Sequence, residues 1–488
     1  MTIPDPPPGA PSRALRVRAA AGWERFMRRT EEQTAHEAGP DGYERHPLLH
    51  ARVRDTASGA EGELTAVTHE LHSDGRVVRI AHIRAGNGIE WTAAADNIQA
   101  ARPQVRASHT GGEMSTNVDR PRLAPVPRAV VMQPTTLCQP MDCTYCYLPF
   151  RRTKHLMPQT VAEAVAQAVN GWAAHDPAFE VVWHGGEPLS AGREHLAALM
   201  TPFDGVKHTL QTNAALIDDA WCAFLREHDV HVGVSIDGPE DMNTRRVTLA
   251  GRPGFRPAMR GIDRLRRHGI PFSAIAVVSD PDPAHAARFY EFFVELGVTT
   301  LGVNVEEEEG VNRGAVRADP RHATEFWQAL ADAWSAAPVV RLRELSRVMN
   351  FARAVLDGQA QAAAPPTAPW DPLPTVAHDG GVVMLSPELA GFTDDRFGDF
   401  TTGNVLRDGL DVLVAEAEER TPWITEFWQG VDACRATCPY FAFCGGAHPA
   451  NRYFEHGGRM DGTRTRYCST AKIALIEGVT RHAAEHRH

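Results

Sequence analysis

The sequence has no apolar run approaching the roughly 20 residues that a bilayer span requires. Its opening stretch, MTIPDPPPGAPSRALRVRAA, has no apolar core of the kind that marks a secretory signal. These two absences lead us to expect a cytoplasmic protein without a membrane partner. Positive charge is not in excess either: 61 acidic side chains stand against 50 basic ones, a formal net charge of −11. A mildly acidic surface argues against broad binding to nucleic acid or anionic membranes. No internal repeat of solenoid or propeller length is visible. The chain does have ordinary globular composition, with 43% hydrophobic and 23% charged residues in 488. That length is ample for two to four domains with a large core.

Eight cysteines carry the strongest signal. Cys138, Cys143 and Cys146 fall on one short loop, and Cys434, Cys438, Cys444 and Cys468 gather near the C-terminus. In a reducing compartment, thiols grouped in this way read as metal or cluster ligands rather than disulfides. Cys222 stands apart in DDAWCAFLREH, an amphipathic helical pattern, and reads as a buried core thiol.

Along the chain, residues 1–40 read as a Pro-rich start followed by a helix over 13–37. Residues 41–105 alternate in short β-prone runs separated by SGAEG, SDG and AGNG, the text of a small antiparallel barrel or sheet. Residues 106–128 form a polar linker. From Ala129 a regular alternation begins: AVVMQPTT, FEVVWH, KHTLQT, VHVGVSI, FSAIAVVS and TTLGVNV read as strands with helical text between them. Six such β/α units, ending near residue 315, predict a parallel sheet, either doubly wound or most of a (β/α) barrel. Chemistry would then sit at the C-terminal ends of the strands. Residues 316–375 read as helical text and a linker, and 376–488 as a separate cysteine-bearing domain that opens with a hairpin.

The first cysteine loop, Cys138-Gln-Pro-Met-Asp-Cys143-Thr-Tyr-Cys146, follows the first of these strands directly. Three thiolates suit three irons of a [4Fe–4S] cluster, leaving the fourth iron for a non-protein ligand. Zinc is the alternative, but a fourth ligand close in sequence is missing. The loop resembles that of the radical S-adenosylmethionine (SAM) enzymes, whose open iron chelates the amino and carboxylate groups of SAM. It departs from them in having four residues, not three, between its first two cysteines. Trp183-His184-Gly185-Gly186-Glu187-Pro188 after the second strand matches the family's GGEP motif. The resemblance implies that Tyr145 lies against the adenine and that Gly185 and Gly186 allow close backbone approach. It places Glu187 on the SAM amino group. Asn213 and Ser235 would line the ribose, and Arg246 would pair with the SAM carboxylate.

The C-terminal pattern Cys434-Arg-Ala-Thr-Cys438, five residues, Cys444-Gly-Gly-Ala-His448, then Cys468 resembles a SPASM domain, a C-terminal extension of radical SAM peptide-modifying enzymes. Full SPASM domains hold two auxiliary clusters. Here no cysteine lies between Cys222 and Cys434, and His448 stands where a further ligand is usual. The resemblance therefore implies one auxiliary [4Fe–4S] cluster, on Cys434, Cys438, Cys444 and Cys468. Structural zinc remains open at four such thiols. The implied fold is a partial (β/α)6 radical SAM barrel with a SPASM-like iron–sulfur domain and a small β-rich N-terminal domain.

TTLCQPMDCTYCYLPF, GVNVEEEEG, the SPE segment and CPYFAFCGGAHPANRYFEHG with TRYC are similar to the cyclophane-forming maturases of ribosomal precursor peptides. Those enzymes join an aromatic ring carbon to an unactivated side-chain carbon. The likeness implies a precursor peptide as substrate and an electron donor such as flavodoxin or ferredoxin. The acidic run from Glu306 to Glu309 offers the base that closes such a crosslink, with Glu306 and Glu307 as candidates, or a grip on a basic peptide, or merely a solvated charge run. Thioether formation, epimerisation and sulfatase-type formylglycine formation stay open. So does a non-catalytic iron–sulfur or zinc scaffold, against which GGEP counts.

Overall fold

The structure is a computed structural model that describes residues 48, 52–56, 61–71, 77–84, 90–100, 122–314, 318–356 and 369–485. The helix expected over 13–37 and most of the linker expected over 106–128 lie outside the described residues. The described residues fall into two compact units, one within 25–120 and one within 121–488.

In the first unit the turn-punctuated text forms an antiparallel sheet of five strands. These are β1 (Arg52–Asp55), β2 (Glu61–Leu71), β3 (Val77–Arg84), β4 (Glu90–Ala94) and β5 (Ile98–Ala100), in the order β4-β3-β2-β1-β5. Strict alternation would place Leu64 and Ala66 on the same face. The pairing with β3 shifts between Leu64 and Ala66, and this bulge lets Leu64 and Val67 share one core with Val53, Ala81, Ile83 and Ile98.

The second unit is built on a ten-stranded sheet. Its parallel strands β6 (Ala129–Met132), β7 (Glu180–Trp183), β8 (Lys207–Thr212), β9 (Val230–Ser235), β10 (Phe272–Val278) and β11 (Thr300–Val305) lie side by side in chain order. A doubly wound sheet would reverse its order at a switch point. This one does not, and β6 and β11 do not pair with each other, so the sheet is a partial (β/α)6 barrel. Between the strands run α1 (Gln159–Ala173), α2 (Arg193–Met200), α3 (Asp219–Glu227), α4 (Phe255–Arg267) and α5 (Ala286–Leu296). On α4, Ala258, Ile262 and Leu265 recur at helical spacing on the buried face, and Arg264, Arg266 and Arg267 sit in the last turn, where the helix dipole favours cations. Asp218 caps α3 by accepting from the Trp221 amide at 2.7 Å.

The text expected to be helical over 321–357 is interrupted. It forms α6 (Pro320–Ala336), a two-residue strand β12 (Arg341–Leu342) parallel to β11, and α7 (Arg343–Leu356). Two residues give no alternation to read, so β12 exists only through its partner. At the other edge, β13 (Thr375–Val376) pairs parallel to β6, and β14 (Gly381–Val383) and β15 (Gly403–Asn404) continue the sheet. The hairpin expected to open a separate domain at residue 376 is thus an extension of the barrel sheet. Beyond it lie α8 (Pro422–Thr437), α9 (Pro449–Glu455) and α10 (Ala474–Glu485), the last preceded by a π-helical turn at Cys468–Ile473. This turn is tied to α6, where Trp327 Nε1 donates to the Thr470 carbonyl at 3.3 Å. No helix of the described residues is long and apolar enough to cross a membrane.

Candidate active site and the two cysteine centres

The loop leaving β6 is zipped onto the segment after β9. Asp142 N donates to Val247 O at 2.7 Å, Thr144 N to Arg245 O at 2.9 Å, and Leu249 N to Pro140 O at 2.9 Å. Asp142 braces the loop from inside, accepting from Arg151 Nε at 2.6 Å and ion-pairing with Arg152 at 2.5 Å. Against the upward push of burial, these two arginines hold its carboxyl below the usual range. The loop gathers Cys138, Cys143 and Cys146 with Arg246 beside them. Burial pushes all three thiols up, Cys146 to about 11, and the nearness of Glu187 and of the other two thiols raises Cys138 further. Such thiols are poor nucleophiles on their own. A bound metal centre would deprotonate them outright, and three sulfurs on one loop are a donor set that suits it.

The GGEP turn packs directly on this loop. A Cβ on Gly186 would stand 2.2 Å from the Thr135 carbonyl oxygen, so no larger residue fits. Glu187 is 1% exposed. Its carboxylate accepts from Leu189 N at 3.1 Å, Thr212 Oγ1 at 2.7 Å and Asn213 N at 2.7 Å. That fills about three of its four acceptor positions. Burial raises its pKa to about 7 despite these bonds. Beside it Tyr145, Asp237 and Arg246 form a buried polar network. The Tyr145 hydroxyl donates to Asp237 at 2.9 Å and accepts from Arg246 Nη1 at 2.7 Å, and Asp237 also accepts from Val277 N at 3.0 Å. Ser235 Oγ accepts from Gln211 Nε2 at 2.8 Å. Two donors, Asn213 Nδ2 and Arg246 Nε, are buried without a partner. Buried donors left open around a carboxylate are what a ligand bearing both amine and carboxylate would complete. Thr212 ends β8 and Asp237 follows the end of β9 by two residues, the strand ends where polar residues deserve suspicion, although neither was among the expected site residues.

After β11 the chain folds back over the cysteine loop. Gly310 has φ +57°, and a Cβ there would meet Tyr147 O at 2.3 Å, while Val311 N donates to that same oxygen at 3.1 Å. The acidic run is therefore not a solvated stretch, and its four carboxylates differ. Glu306 is held by Arg245 at 3.1 Å and by Asn312 Nδ2 at 3.1 Å. Glu308 pairs with Arg466. Glu307 accepts from Asn451 and faces His448 Nε2 at 3.8 Å, and Glu309 Oε2 is buried without a partner. Donor atoms of Glu307, Glu309 and His448 all lie within 4.8 Å of one another. Burial first, and then nearby carboxylates, raise Glu307 and Glu309 well above the usual range; burial raises Glu388. Burial, then Lys472 and Arg452, lowers His448 to about 3. His448 Nδ1 meets Ser386 Oγ at 3.2 Å, and the Tyr467 ring stands 5.5 Å from the imidazole. The SPE, GGAH and TRYC segments, distant in sequence, thus converge on the end of β11.

The four C-terminal cysteines line one cavity of about 610 Å³ together with Arg464 and Lys472. Cys434 lies in the last turn of α8, Cys444 ends the short helix Phe441–Cys444, and Cys468 opens the π-helical turn. Cys468 Sγ accepts from Thr465 Oγ1 at 3.0 Å. All eight cysteines are free thiols, and Cys222 is fully buried on α3, away from both sets.

Residues 132–293 match the Radical SAM superfamily. An uncharacterised protein of Synechocystis sp. is 31% identical over 358 residues, covering 70% of this chain and 87% of its own. A serine-type anaerobic sulfatase-maturating enzyme of Klebsiella aerogenes is 35% identical over 224 residues, 43% of this chain and 52% of the relative, so the match spans about half of that enzyme. Among solved structures, anSMEcpe with bound AdoMet superposes with a TM-score of 0.56 at 21% identity, over 72% of this chain and 97% of the other. Streptococcus suis SuiB bound to the precursor peptide SuiA superposes with a TM-score of 0.54 at 16% identity, over 71% and 77%. These two likenesses are of fold. Taken with the sequence matches and the parallel barrel carrying a three-cysteine loop, they show that the chain belongs to the radical SAM superfamily, whose members use a [4Fe–4S] cluster and SAM.

Proposed function

We propose that the chain is a radical SAM maturase that forms a C–C cyclophane crosslink between an aromatic ring and a side-chain carbon of a ribosomal precursor peptide. A [4Fe–4S] cluster with SAM supplies, when bound, a 5′-deoxyadenosyl radical that takes one hydrogen atom from the peptide. Cys138, Cys143 and Cys146 hold that cluster. Glu187 would receive the amino group of SAM, Asn213 would donate its open Nδ2 to the ribose, and Arg246, whose Nε is open, would pair with the carboxylate. Ring closure must then release one proton and one electron. Glu307 and Glu309, buried with raised proton affinity, accept the proton. Cys434, Cys438, Cys444 and Cys468 would hold an auxiliary cluster able to take that electron, and a flavodoxin- or ferredoxin-type carrier protein would supply the electron that SAM cleavage consumes and take back the one released on ring closure.

The observation carrying this reading is the convergence of Glu307, Glu309 and His448 at the end of β11. A second reading, formylglycine formation in a sulfatase, is favoured by the likeness to the sulfatase-maturating enzymes. Co-expression with a short candidate precursor peptide from a neighbouring reading frame, followed by alkylation and tandem mass spectrometry, separates them. We expect a loss of about 2 Da, free thiols that still alkylate, and suppressed fragmentation between an aromatic residue and one two or three positions on. The loss should vanish when that aromatic is changed to Ala. A product that reacts as an aldehyde with hydrazide would establish the second reading. Dependence on a peptide cysteine instead would mean a thioether, and no SAM cleavage at all would mean a scaffold.

A further inference from the structure

Arg452, on α9, is fully buried, with 0% exposure. Its Nη1 donates to the Gly462 carbonyl, and its Nη2 lies 2.7 Å from the Gly446 carbonyl and 3.3 Å from Cys434 Sγ. Its guanidinium carbon stands 5.6 Å from the centre of the Phe427 ring, and Nε is buried without a partner. Among the described residues no carboxylate forms an ion pair with it. An arginine keeps its charge in proteins. Burying that charge against carbonyls, a ring and a thiol alone leaves it uncompensated. Cys434, its sulfur contact, lines the cavity of the four C-terminal cysteines.

We propose that Arg452 is the buried counter-charge of the four-cysteine centre and raises the readiness of that centre to accept an electron. This rests on the reading that Cys434, Cys438, Cys444 and Cys468 carry a [4Fe–4S] cluster. Four thiolates give such a cluster a net negative charge, and one-electron reduction makes it more negative. A fixed cation at sulfur-contact distance stabilises the reduced state more than the oxidised one. Hydrogen bonds to the sulfurs, here from Arg452 Nη2 and Thr465 Oγ1, act in the same direction. In turnover the electron comes from the peptide radical adduct, which is oxidised as its ring proton leaves to Glu307 or Glu309. The centre is reduced by that electron and reoxidised by the carrier protein.

The test uses full-length protein with Cys138, Cys143 and Cys146 all changed to Ala, so that only the second centre holds iron. Arg452→Gln retains donors and removes the charge; Arg452→Lys retains the charge. Iron content and an EPR-monitored redox titration are read for each. We expect about four irons in the parent and in both variants. Reduction of the Gln variant should be at least tenfold less favourable, a potential lower by about 59 mV for one electron, with the Lys variant close to the parent. Iron lost from the Gln variant but kept by the Lys variant would support the same role. A Gln variant titrating at the parent potential overturns the proposal, as does equal loss of iron from both, which would mean a hydrogen-bonding scaffold. A parent that binds no iron, or binds zinc, refutes the auxiliary-cluster reading itself and Arg452's role with it.

Discussion

The two sets of cysteines share a chemistry and differ in their surroundings. The N-terminal set offers three thiols, and around them stand buried donors without partners: Asn213 Nδ2 and Arg246 Nε, beside a carboxylate with room for one more bond. The C-terminal set offers four thiols in one cavity, with an arginine whose charge has no carboxylate partner among the described residues. One site is incomplete in a way that a small zwitterion would finish, and the other in a way that an anionic centre alone would finish. The number of sulfurs and the polar atoms left over therefore carry the same message at each site. On the function proposed above, the open site would take a ligand that reacts and the closed one would pass charge.

The sharpest test of this contrast is to empty each site in turn. Changing Cys138, Cys143 and Cys146 to Ala should abolish SAM cleavage completely and leave about four of about eight irons per chain. Changing Cys434, Cys438, Cys444 and Cys468 to Ala should remove the other half while SAM cleavage persists and the peptide product is lost. Anaerobic reconstitution with iron analysis and quantification of 5′-deoxyadenosine reads both. If emptying the second set abolishes SAM cleavage as well, the two sites do not divide the work as described.

A smaller effect is expected at Glu187, the shared anchor of β8 and the GGEP turn. Glu187→Gln keeps the shape and removes the charge. SAM binding should weaken ten- to a hundredfold, about 1.4–2.8 kcal/mol. Its acceptor oxygens are also fixed by Thr212 and Asn213, so thermal unfolding of the ligand-free protein should be measured beside the calorimetric titration. Unchanged SAM affinity would remove Glu187 from the binding site and leave it only a capping role.

The smallest effect is expected at Cys222, the thiol outside both sets. Cys222→Ala leaves a small void in a buried helix face, and a stability loss of about 1 kcal/mol is typical of such a change. Iron content and SAM cleavage should not move. A loss of iron would mean that grouping in sequence is not what separates ligands from core thiols in this chain.

Most of the barrel was legible because buried parallel strands read as short apolar runs and their helices as amphipathic ones. Five of the six strands lie within a residue of their expected runs, and the first, read over AVVMQPTT, stops four residues early at Met132, before Pro134. The strands at the two edges were not legible as barrel strands. β12 is two residues long, and β13 looked like the start of another domain because nothing local announces a partner as far away as Val131. The same limit applies to the site. Cysteine spacing and GGEP are local patterns and were readable. The acidic run was visible, but its division into Glu306 bound by Arg245, Glu308 bound by Arg466 and the inward pair Glu307 and Glu309 depends on residues 60 to 160 positions away. Arg452 gave no signal, since an arginine in ANRYFE looks like any amphipathic helix residue until its exposure is known.

The attachment of β13 to β6 has a mechanical consequence. The cysteine loop springs from the end of β6, and the chain that leads to the second set begins on the strand hydrogen-bonded to it, with Val376 opposite Met132. The spacing between the two centres is thereby referenced to one backbone ladder instead of to a tether. A hinge at this point would have to break sheet hydrogen bonds, so bending the chain here is costly. On the function proposed above, a peptide that seats badly would then be penalised at the oxidation step as well as at hydrogen abstraction.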